Sequence, residues 1–160
     1  MSDQTSRQPP KRPVSSDDIA WEDWRHGERF GGRVKRTGDA AGAVRLGVHV
    51  EELPPGKQSC PSHYHYLEEE HLYVLEGCAT LVLGEERIAL KAGDHACFPA
   101  GQETGHCLIN EGHAVFRFLM VGERNPAEVV VYPGSDKILV KAADAILDRG
   151  AVKDYWDGED

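Results

Sequence analysis

Long hydrophobic runs are missing from this 160-residue chain, and none approaches the roughly 18 residues that a membrane-spanning helix needs. The N-terminal residues 1–18 are polar and lack the apolar segment of a secretory signal. Basic residues are also scarce, since 18 Lys and Arg stand against 27 Asp and Glu, for a formal net charge of -9. Nucleic-acid affinity depends on a basic patch. We therefore expect neither a membrane nor a nucleic-acid partner, although a local cation can still hold a small anionic ligand.

Cysteine is sparse as well, and its four positions are not spaced as metal-binding or disulfide frameworks usually are. No C-x-x-C pair occurs among Cys60, Cys78, Cys97 and Cys107. This usage is typical of free thiols in a reducing compartment. We therefore expect a cytoplasmic protein whose cysteines are mostly inert.

Turn residues divide the middle of the chain into short apolar segments. Leu46, Val48 and Val50 alternate with other residues, which is the period-two pattern of a half-buried strand. The segment 71–83 predicts two strands around Gly77, and residues 87–90, 107–109 and 115–121 predict three more. The last of these carries an apolar face made of Phe116, Phe118 and Met120. Short strands with a turn every 8–12 residues indicate an all-β sandwich or barrel.

We divide the chain into three parts. Residues 1–16 are polar and proline-bearing and predict a disordered tail, followed by a barrel domain with its N-terminal flank at 17–135. A short helical segment is predicted to begin at Ser15 or Ser16, with Trp21 and Trp24 packing outside the main core. Residues 136–160 form a C-terminal extension, in which residues 141–149 predict a helix ending at Gly150. Its terminal aromatic residues, Tyr155 and Trp156, are expected to dock on the barrel.

The chemistry-bearing segment begins at His63. On a strand, residues two apart face the same side with Cα atoms about 6.5–7 Å apart, so His63 and His65 present two imidazoles to one space. A carboxylate from the run Glu68, Glu69 and Glu70 can return on the next strand, and His106 follows on a later one. Three imidazoles and a carboxylate suit a transition metal and differ from the all-oxygen set that calcium prefers.

These residues resemble the two motifs of the cupin superfamily. The first, G-x5-H-x-H-x3/4-E-x6-G, is matched by His63, His65, Glu70 and Gly77, and its register selects Glu70 over the neighbouring carboxylates. The second, G-x5-P-x-G-x2-H-x3-N, is matched by Gly93, Pro99, Gly101, His106 and Asn110. Six residues instead of five separate Gly56 from His63, and four instead of two separate Gly101 from His106.

The resemblance implies a double-stranded β-helix, or jelly roll, with short peripheral helical segments. It also implies one divalent transition metal per chain inside one end of the barrel, held by His63, His65, Glu70 and His106. Manganese, iron, nickel and zinc all suit such a set. Cupins frequently form homodimers, and a group of bacterial cupins of about this length includes members labelled sugar-phosphate isomerases by analogy.

Three functions follow as hypotheses, because a fold does not fix a function. The first is a metal-dependent isomerase or lyase acting on a small oxygen-rich metabolite, for example a sugar or sugar phosphate, with Glu103 as one candidate general base. The second is an iron-dependent dioxygenase, and the third is a non-catalytic small-molecule binding or sensing module. Arg87 and Arg117 are the candidate phosphate ligands by position. The apolar face of the last strand instead indicates an apolar interior, which does not favour a phosphorylated sugar.

Overall fold

The computed structural model describes residues 12–159, so most of the predicted N-terminal tail lies outside the described residues. Ser15 caps a 3₁₀ helix at Ser16–Asp18 by accepting a hydrogen bond from the backbone of Asp17, as its sequence position predicts. The single α-helix of the described part is α1 (Thr37–Ala41). Other short 3₁₀ helices lie at Pro133–Ser135, Lys141–Ala143 and Arg149–Ala151. No helix of residues 12–159 is long and apolar enough to cross a membrane.

Thirteen antiparallel strands dominate the described chain, which confirms the all-β prediction. They are β1 (Glu22–His26), β2 (Phe30–Lys35), β3 (Leu46–Leu53), β4 (Tyr64–His65), β5 (Glu70–Glu76), β6 (Cys78–Leu83), β7 (Glu86–Lys91), β8 (His95–Phe98), β9 (His106–Ile109), β10 (Phe116–Glu123), β11 (Val129–Tyr132), β12 (Lys137–Val140) and β13 (Ala145–Asp148). The five strands predicted after residue 70 are all present, with ends shifted by one or two residues.

The strands form two layers of a jelly roll. One layer has the order β1-β2-β3-β10-β5-β8. The other is built from β7-β6-β9 and from β4-β11-β12-β13, and a bridge between His63 and His106 joins these two groups. The three candidate histidine ligands therefore lie at this bridge, and Glu70, the candidate carboxylate ligand, begins β5.

Apolar side chains between the layers make the core. Phe116 and Phe118 are 0% and 1% exposed, and Met120 packs partly buried beside them, which confirms the predicted apolar face of β10. Burying an aromatic side chain of this size contributes about 2–3 kcal/mol. Gly77 turns the chain from β5 to β6 with φ of 82°, and a Cβ there would meet the carbonyl oxygen of Val115 at 2.6 Å. Only glycine fits this corner.

The predicted C-terminal helix is wrong. Residues 141–149 instead contain β13, which pairs with β12 and extends the sheet beyond β11. The alternation of Ala145, Ile146 and Leu147 suits a strand as well as a helix, and Asp144, at φ of 48°, makes the turn that returns the chain. Gly150 belongs to the last 3₁₀ helix rather than capping an α-helix. Within this chain, Tyr155 and Trp156 do not dock, because they are 83% and 70% exposed.

Candidate metal centre and its cavity

The four predicted metal ligands come together. His63 precedes β4, His65 lies in it, Glu70 begins β5 and His106 begins β9. His63 and His106 face each other across an antiparallel bridge closed by hydrogen bonds from His106 N to His63 O (2.8 Å) and from His63 N to His106 O (3.2 Å). One ligand atom from each of the four residues lies within 4.8 Å of every other.

The distances within this group are those of a coordination sphere. The Oε2 atom of Glu70 lies 3.4 Å from Nε2 of His65 and 3.4 Å from Nε2 of His106. Two donors bound to one transition metal at about 2.1 Å stand about 3.0–3.5 Å apart. The Nδ1 atom of His63 lies 2.9 Å from the carbonyl oxygen of Pro61. Donation of the Nδ1 proton to that oxygen leaves Nε2 of His63 with a free lone pair.

Buried nitrogen atoms without partners mark the same point. The Nε2 atoms of His65 and His106 are buried and make no hydrogen bond within residues 12–159. Buried polar atoms are nearly always satisfied, so two unpartnered nitrogen atoms that converge on one carboxylate indicate a cation-binding site. The residues therefore fit a divalent transition metal. Phe98 stacks on His106 with ring centroids 3.8 Å apart and fixes the orientation of that imidazole.

Protonation in this group also suits a metal. Burial, with the nearby His106, lowers the pKa of His63 to about 4, so this imidazole is neutral at pH 7. Burial alone would raise the pKa of Glu70, but the imidazoles of His106 and His65, each 3.4 Å from its carboxylate, outweigh it and hold that pKa well below its usual value. Burial likewise opposes the charged form of His65, yet Glu70 raises the pKa of His65. The carboxylate is thus ionised and ready to ligate.

Two buried carboxylates support the ligand loop. Glu128, 0% exposed, accepts hydrogen bonds from the backbone N–H groups of Tyr66 and Leu67. Glu68, 6% exposed, accepts hydrogen bonds from Asn125 N and from Lys141 Nζ, so it is buried and paired although it is charged. Both carboxylates lie 3.8 Å from Nδ1 of His65. They hold the segment between His65 and Glu70 and place negative charge behind the His65 imidazole.

A cavity of about 900 Å³ opens over the candidate metal centre. Its apolar wall includes Trp24, Phe98, Phe118 and Met120, in agreement with the apolar interior predicted from β10. Trp24, which the sequence places outside the main core, is not part of the core cluster and faces this space. The Cys60 thiol lies 3.6 Å from Nδ1 of His63, and burial raises the pKa of this thiol to about 12.

The sequence analysis did not predict the polar wall of the cavity. His49 and Glu51 line it from β3, with His49 Nδ1 3.6 Å from Glu51 Oε1. The cavity is also lined by three cationic side chains, those of Arg29, Arg36 and Lys137. Within residues 12–159, neither Arg29 nor Lys137 forms a salt bridge. The alternation in β3 places His49 and Glu51 together on the face opposite the valines, but it does not tell which of the two faces borders the cavity.

Three residues named from the sequence lie elsewhere. Glu103 is exposed and is not among the residues that line the cavity, so the structure does not support it as a general base. Arg87 pairs with Glu111 at 2.6 Å, and Arg117 pairs with Glu52 at 2.6 Å. Both arginines are absent from the cavity wall, so the two phosphate-ligand predictions are wrong. Their strands alternate, and these positions fall on the outer face.

Comparison with known proteins agrees with the fold. A family model described as the cupin domain matches residues 49–122. A proposed sugar phosphate isomerase from Acidithiobacillus ferrooxidans is 29% identical, with a TM-score of 0.80 over 86% of this chain and 90% of its own. A protein from Silicibacter pomeroyi, named as a sugar phosphate isomerase from a cupin superfamily, is 30% identical, with a TM-score of 0.78 over 90% of this chain and 97% of its own.

A more distant structural relative carries the name of a different reaction. A polyketide cyclase from Streptomyces resistomycificus is 25% identical, with a TM-score of 0.60 over 70% of this chain and 78% of its own. No curated protein sequence matches this chain. The structures that share the fold thus carry the names of more than one reaction.

Proposed function

We propose that this chain, which belongs to the cupin superfamily, is a metal-dependent isomerase. Its substrate would be a small anionic hydroxy-carbonyl compound such as a sugar phosphate. Its cofactor would be one divalent transition metal per chain, held by His63, His65, Glu70 and His106. Bound there, a divalent ion would supply Lewis acidity to a carbonyl and its neighbouring hydroxyl. The names carried by the Acidithiobacillus and Silicibacter relatives support this reaction class.

The observation that carries the proposal is the sign of charge in the cavity. The chain as a whole has a net charge of -9, yet the cavity wall presents Arg29, Lys137 and Arg36, the last paired with Glu22 at 3.1 Å, against two carboxylates, Glu51 and Glu70. A bound divalent ion would make this balance positive. One of these carboxylates is a metal ligand in our assignment. A cationic pocket in an acidic protein favours an anionic ligand, and guanidinium and ammonium groups are the usual partners of phosphate.

His49 is the best-placed proton carrier. Its Nε2 atom is buried without a hydrogen-bond partner in the described residues, and Glu51 lies behind its Nδ1 atom. In an isomerisation, Nε2 would take the proton from the carbon that bears the hydroxyl group and return it to the former carbonyl carbon. Glu51 would stabilise the imidazolium formed in between. Phe118 and Met120 line the same cavity, and their apolar side chains would help to exclude water from this step.

Proton exchange tests the reaction directly. Metal-loaded protein would be mixed in D₂O with phosphorylated and unphosphorylated aldoses and ketoses, and ¹H NMR would follow both isomerisation and loss of the proton next to the carbonyl. We expect exchange with a phosphorylated compound, its loss in His49→Gln with metal retained, and its loss with metal in His106→Ala. No exchange with any compound, or oxygen consumption by the iron-loaded protein, would reject the isomerase and favour a binding module or a dioxygenase respectively.

We also propose that the protein is a cytoplasmic homodimer. Its four cysteines are all free, as expected in a reducing compartment. The outermost strand β13 exposes Ile146 and Leu147, and the segment after it exposes Tyr155 and Trp156. Apolar side chains along an unpaired edge favour pairing with a second copy. Light scattering should give a dimer for the wild type and a monomer for Ile146→Ser/Trp156→Ser, and an unchanged mass would reject this interface.

A further inference from the structure

A second group of metal-ligating side chains lies on the outer face of the barrel. Because β5 alternates, Glu70 and Leu72 point inward, whereas Glu69, His71 and Tyr73 point outward. Cys97 on the edge strand β8 stands directly opposite His71, and His95 stands opposite Tyr73. One carboxylate oxygen, one ring nitrogen and one sulfur, from Glu69, His71 and Cys97, lie within 4.8 Å of one another.

The geometry points to a surface zinc-type site formed by Glu69, His71 and Cys97 and oriented by His95. In a tetrahedral zinc site, bonds of about 2.0–2.1 Å to oxygen and nitrogen and about 2.3 Å to sulfur separate the ligand atoms by about 3.3–3.7 Å. Here Nε2 of His71 is 2.9 Å from Oε1 of Glu69 and 4.0 Å from Sγ of Cys97. Side-chain adjustments of about half an ångström bring both distances into this range.

His95 supplies the supporting hydrogen bond that metal-bound histidines usually have. Its Nε2 atom lies 3.0 Å from Nδ1 of His71, and the two rings stack 5.2 Å apart at 8°. With the metal on Nε2 of His71, the Nδ1 proton is donated to His95, which fixes the tautomer that ligation requires. His95 is therefore a positioning residue, and water completes the fourth coordination place.

The chemistry of the donors selects the ion. A thiolate, an imidazole and a carboxylate form a set of mixed softness that suits Zn²⁺ or Co²⁺ and does not suit Ca²⁺ or Mg²⁺. Glu69 and Glu123 meet at this corner, since Glu123 accepts a hydrogen bond from Glu69 N, and their charges attract a cation. The site is exposed, because 40% of the His71 side chain and 47% of the Glu69 side chain are accessible to solvent. Metal ions can therefore enter it directly from solution.

A cobalt titration separates this site from the barrel centre, because only the surface set contains a cysteine. Co²⁺ bound to a thiolate gives a near-ultraviolet sulfur-to-metal charge-transfer band. We expect this band in the wild type, in His106→Ala and in Cys78→Ser, which removes another exposed cysteine, and we expect its loss in Cys97→Ser. A wild type without the band, or a band that persists in Cys97→Ser, would overturn the assignment.

Zinc binding gives an independent readout. In the His106→Ala background, His95→Ala should weaken zinc affinity about 10-fold, as loss of an outer-shell partner typically does. Zn²⁺ should also slow alkylation of Cys97 by iodoacetamide, followed by peptide mass spectrometry, while leaving Cys78 unprotected. Equal alkylation of Cys97 with and without Zn²⁺ would contradict the site.

Discussion

The carboxylate of Glu70 occupies the space that Gly122 leaves open on the neighbouring strand. The two residues are register partners on β5 and β10, and a Cβ at position 122 would stand 3.0 Å from Oε1 of Glu70 and 3.2 Å from its Cγ. Such contacts are closer than side-chain atoms normally tolerate. The absence of a side chain at Gly122 therefore sets where the only carboxylate ligand of the proposed centre can lie.

Gly122→Ala should weaken metal binding without removing a ligand. The added methyl group displaces the Glu70 carboxylate, and we expect an affinity loss of about 10–100-fold, the size typical of disturbed outer-shell support. Calorimetric titration of the metal-free protein measures this. Gly47→Ala is the matched control, because Gly47 pairs with Gly122 but its added Cβ meets no atom closer than 3.5 Å. Equal affinities in the two variants would refute the role of Gly122.

Lys137 should contribute to anion binding in the cavity. It lines the cavity and makes no salt bridge within the described residues, so its charge is available to a ligand. We expect Lys137→Gln to weaken binding of inorganic phosphate to the metal-loaded protein about 3–10-fold, or about 0.7–1.4 kcal/mol. Lys91→Gln, on the outer surface with 76% of its side chain exposed, should have no effect. Unchanged phosphate affinity in Lys137→Gln would contradict the proposal.

Glu52 should stabilise the fold in a pH-dependent way. It is 3% exposed and accepts hydrogen bonds from Arg33 Nε at 2.6 Å and from Arg117 Nε at 2.8 Å. Burial opposes its ionisation, but the hydrogen bonds from Arg117 and Arg33 outweigh it and hold the pKa of Glu52 below its ordinary value of 4.5. A depressed pKa stabilises the folded state above the unfolded pKa, and this contribution is lost as the pH falls through the folded one.

Glu52→Gln should therefore lower the free energy of unfolding at pH 7 by about 1–2 kcal/mol, a range reduced because both arginines are half exposed to solvent. The difference from wild type should shrink below pH 4.5. Urea denaturation across pH measures it, with Glu76→Gln as the control because its side chain is 68% exposed. A difference that stays constant down to acid pH would show that the charge of Glu52 is not the cause.

Asn110 ties the end of β9 to two other segments. It is 0% exposed, and its Nδ2 atom donates to Leu53 O at 2.7 Å and to Ala114 O at 2.8 Å. Its Oδ1 atom accepts from Gly112 N at 3.0 Å. Asn110→Ala leaves these backbone groups without their partner, so we expect a loss of about 2–4 kcal/mol in urea denaturation. Asn125→Ala, which removes the solvent-exposed hydrogen bond that Asn125 Oδ1 accepts from Ala127 N, should cost under about 1 kcal/mol.

The sequence predicted the elements whose pattern is local. The strands on either side of Gly77 and the apolar face of β10 follow from period-two alternation and from a turn that needs a positive φ. The four ligands could be named because motif spacing places them at fixed points of a known barrel. Their convergence at one point depends on the bridge between His63 and His106. These residues are 43 positions apart in the chain, so the bridge leaves no local signal in the sequence.

What the sequence could not predict depends on which face of a strand is covered. His49 and Glu51 lie among valines, and nothing local indicates that their face borders the cavity while the valine face lies outside. Glu68 and Glu128 are charged residues that tertiary hydrogen bonds bury, against their usual exposure. The segment of β13 suits a helix or a strand equally, and its pairing with β12 decides between them.

The most direct test of the account is the metal content of the purified, untagged protein. It is best measured by plasma mass spectrometry in the His71→Ala/Cys97→Ser background, which removes the proposed surface site. We expect about one transition metal per chain there, and none after His63→Ala or His106→Ala is added. A protein that purifies without metal and refuses added metal, or one that keeps its metal when either histidine is lost, would contradict the proposed centre.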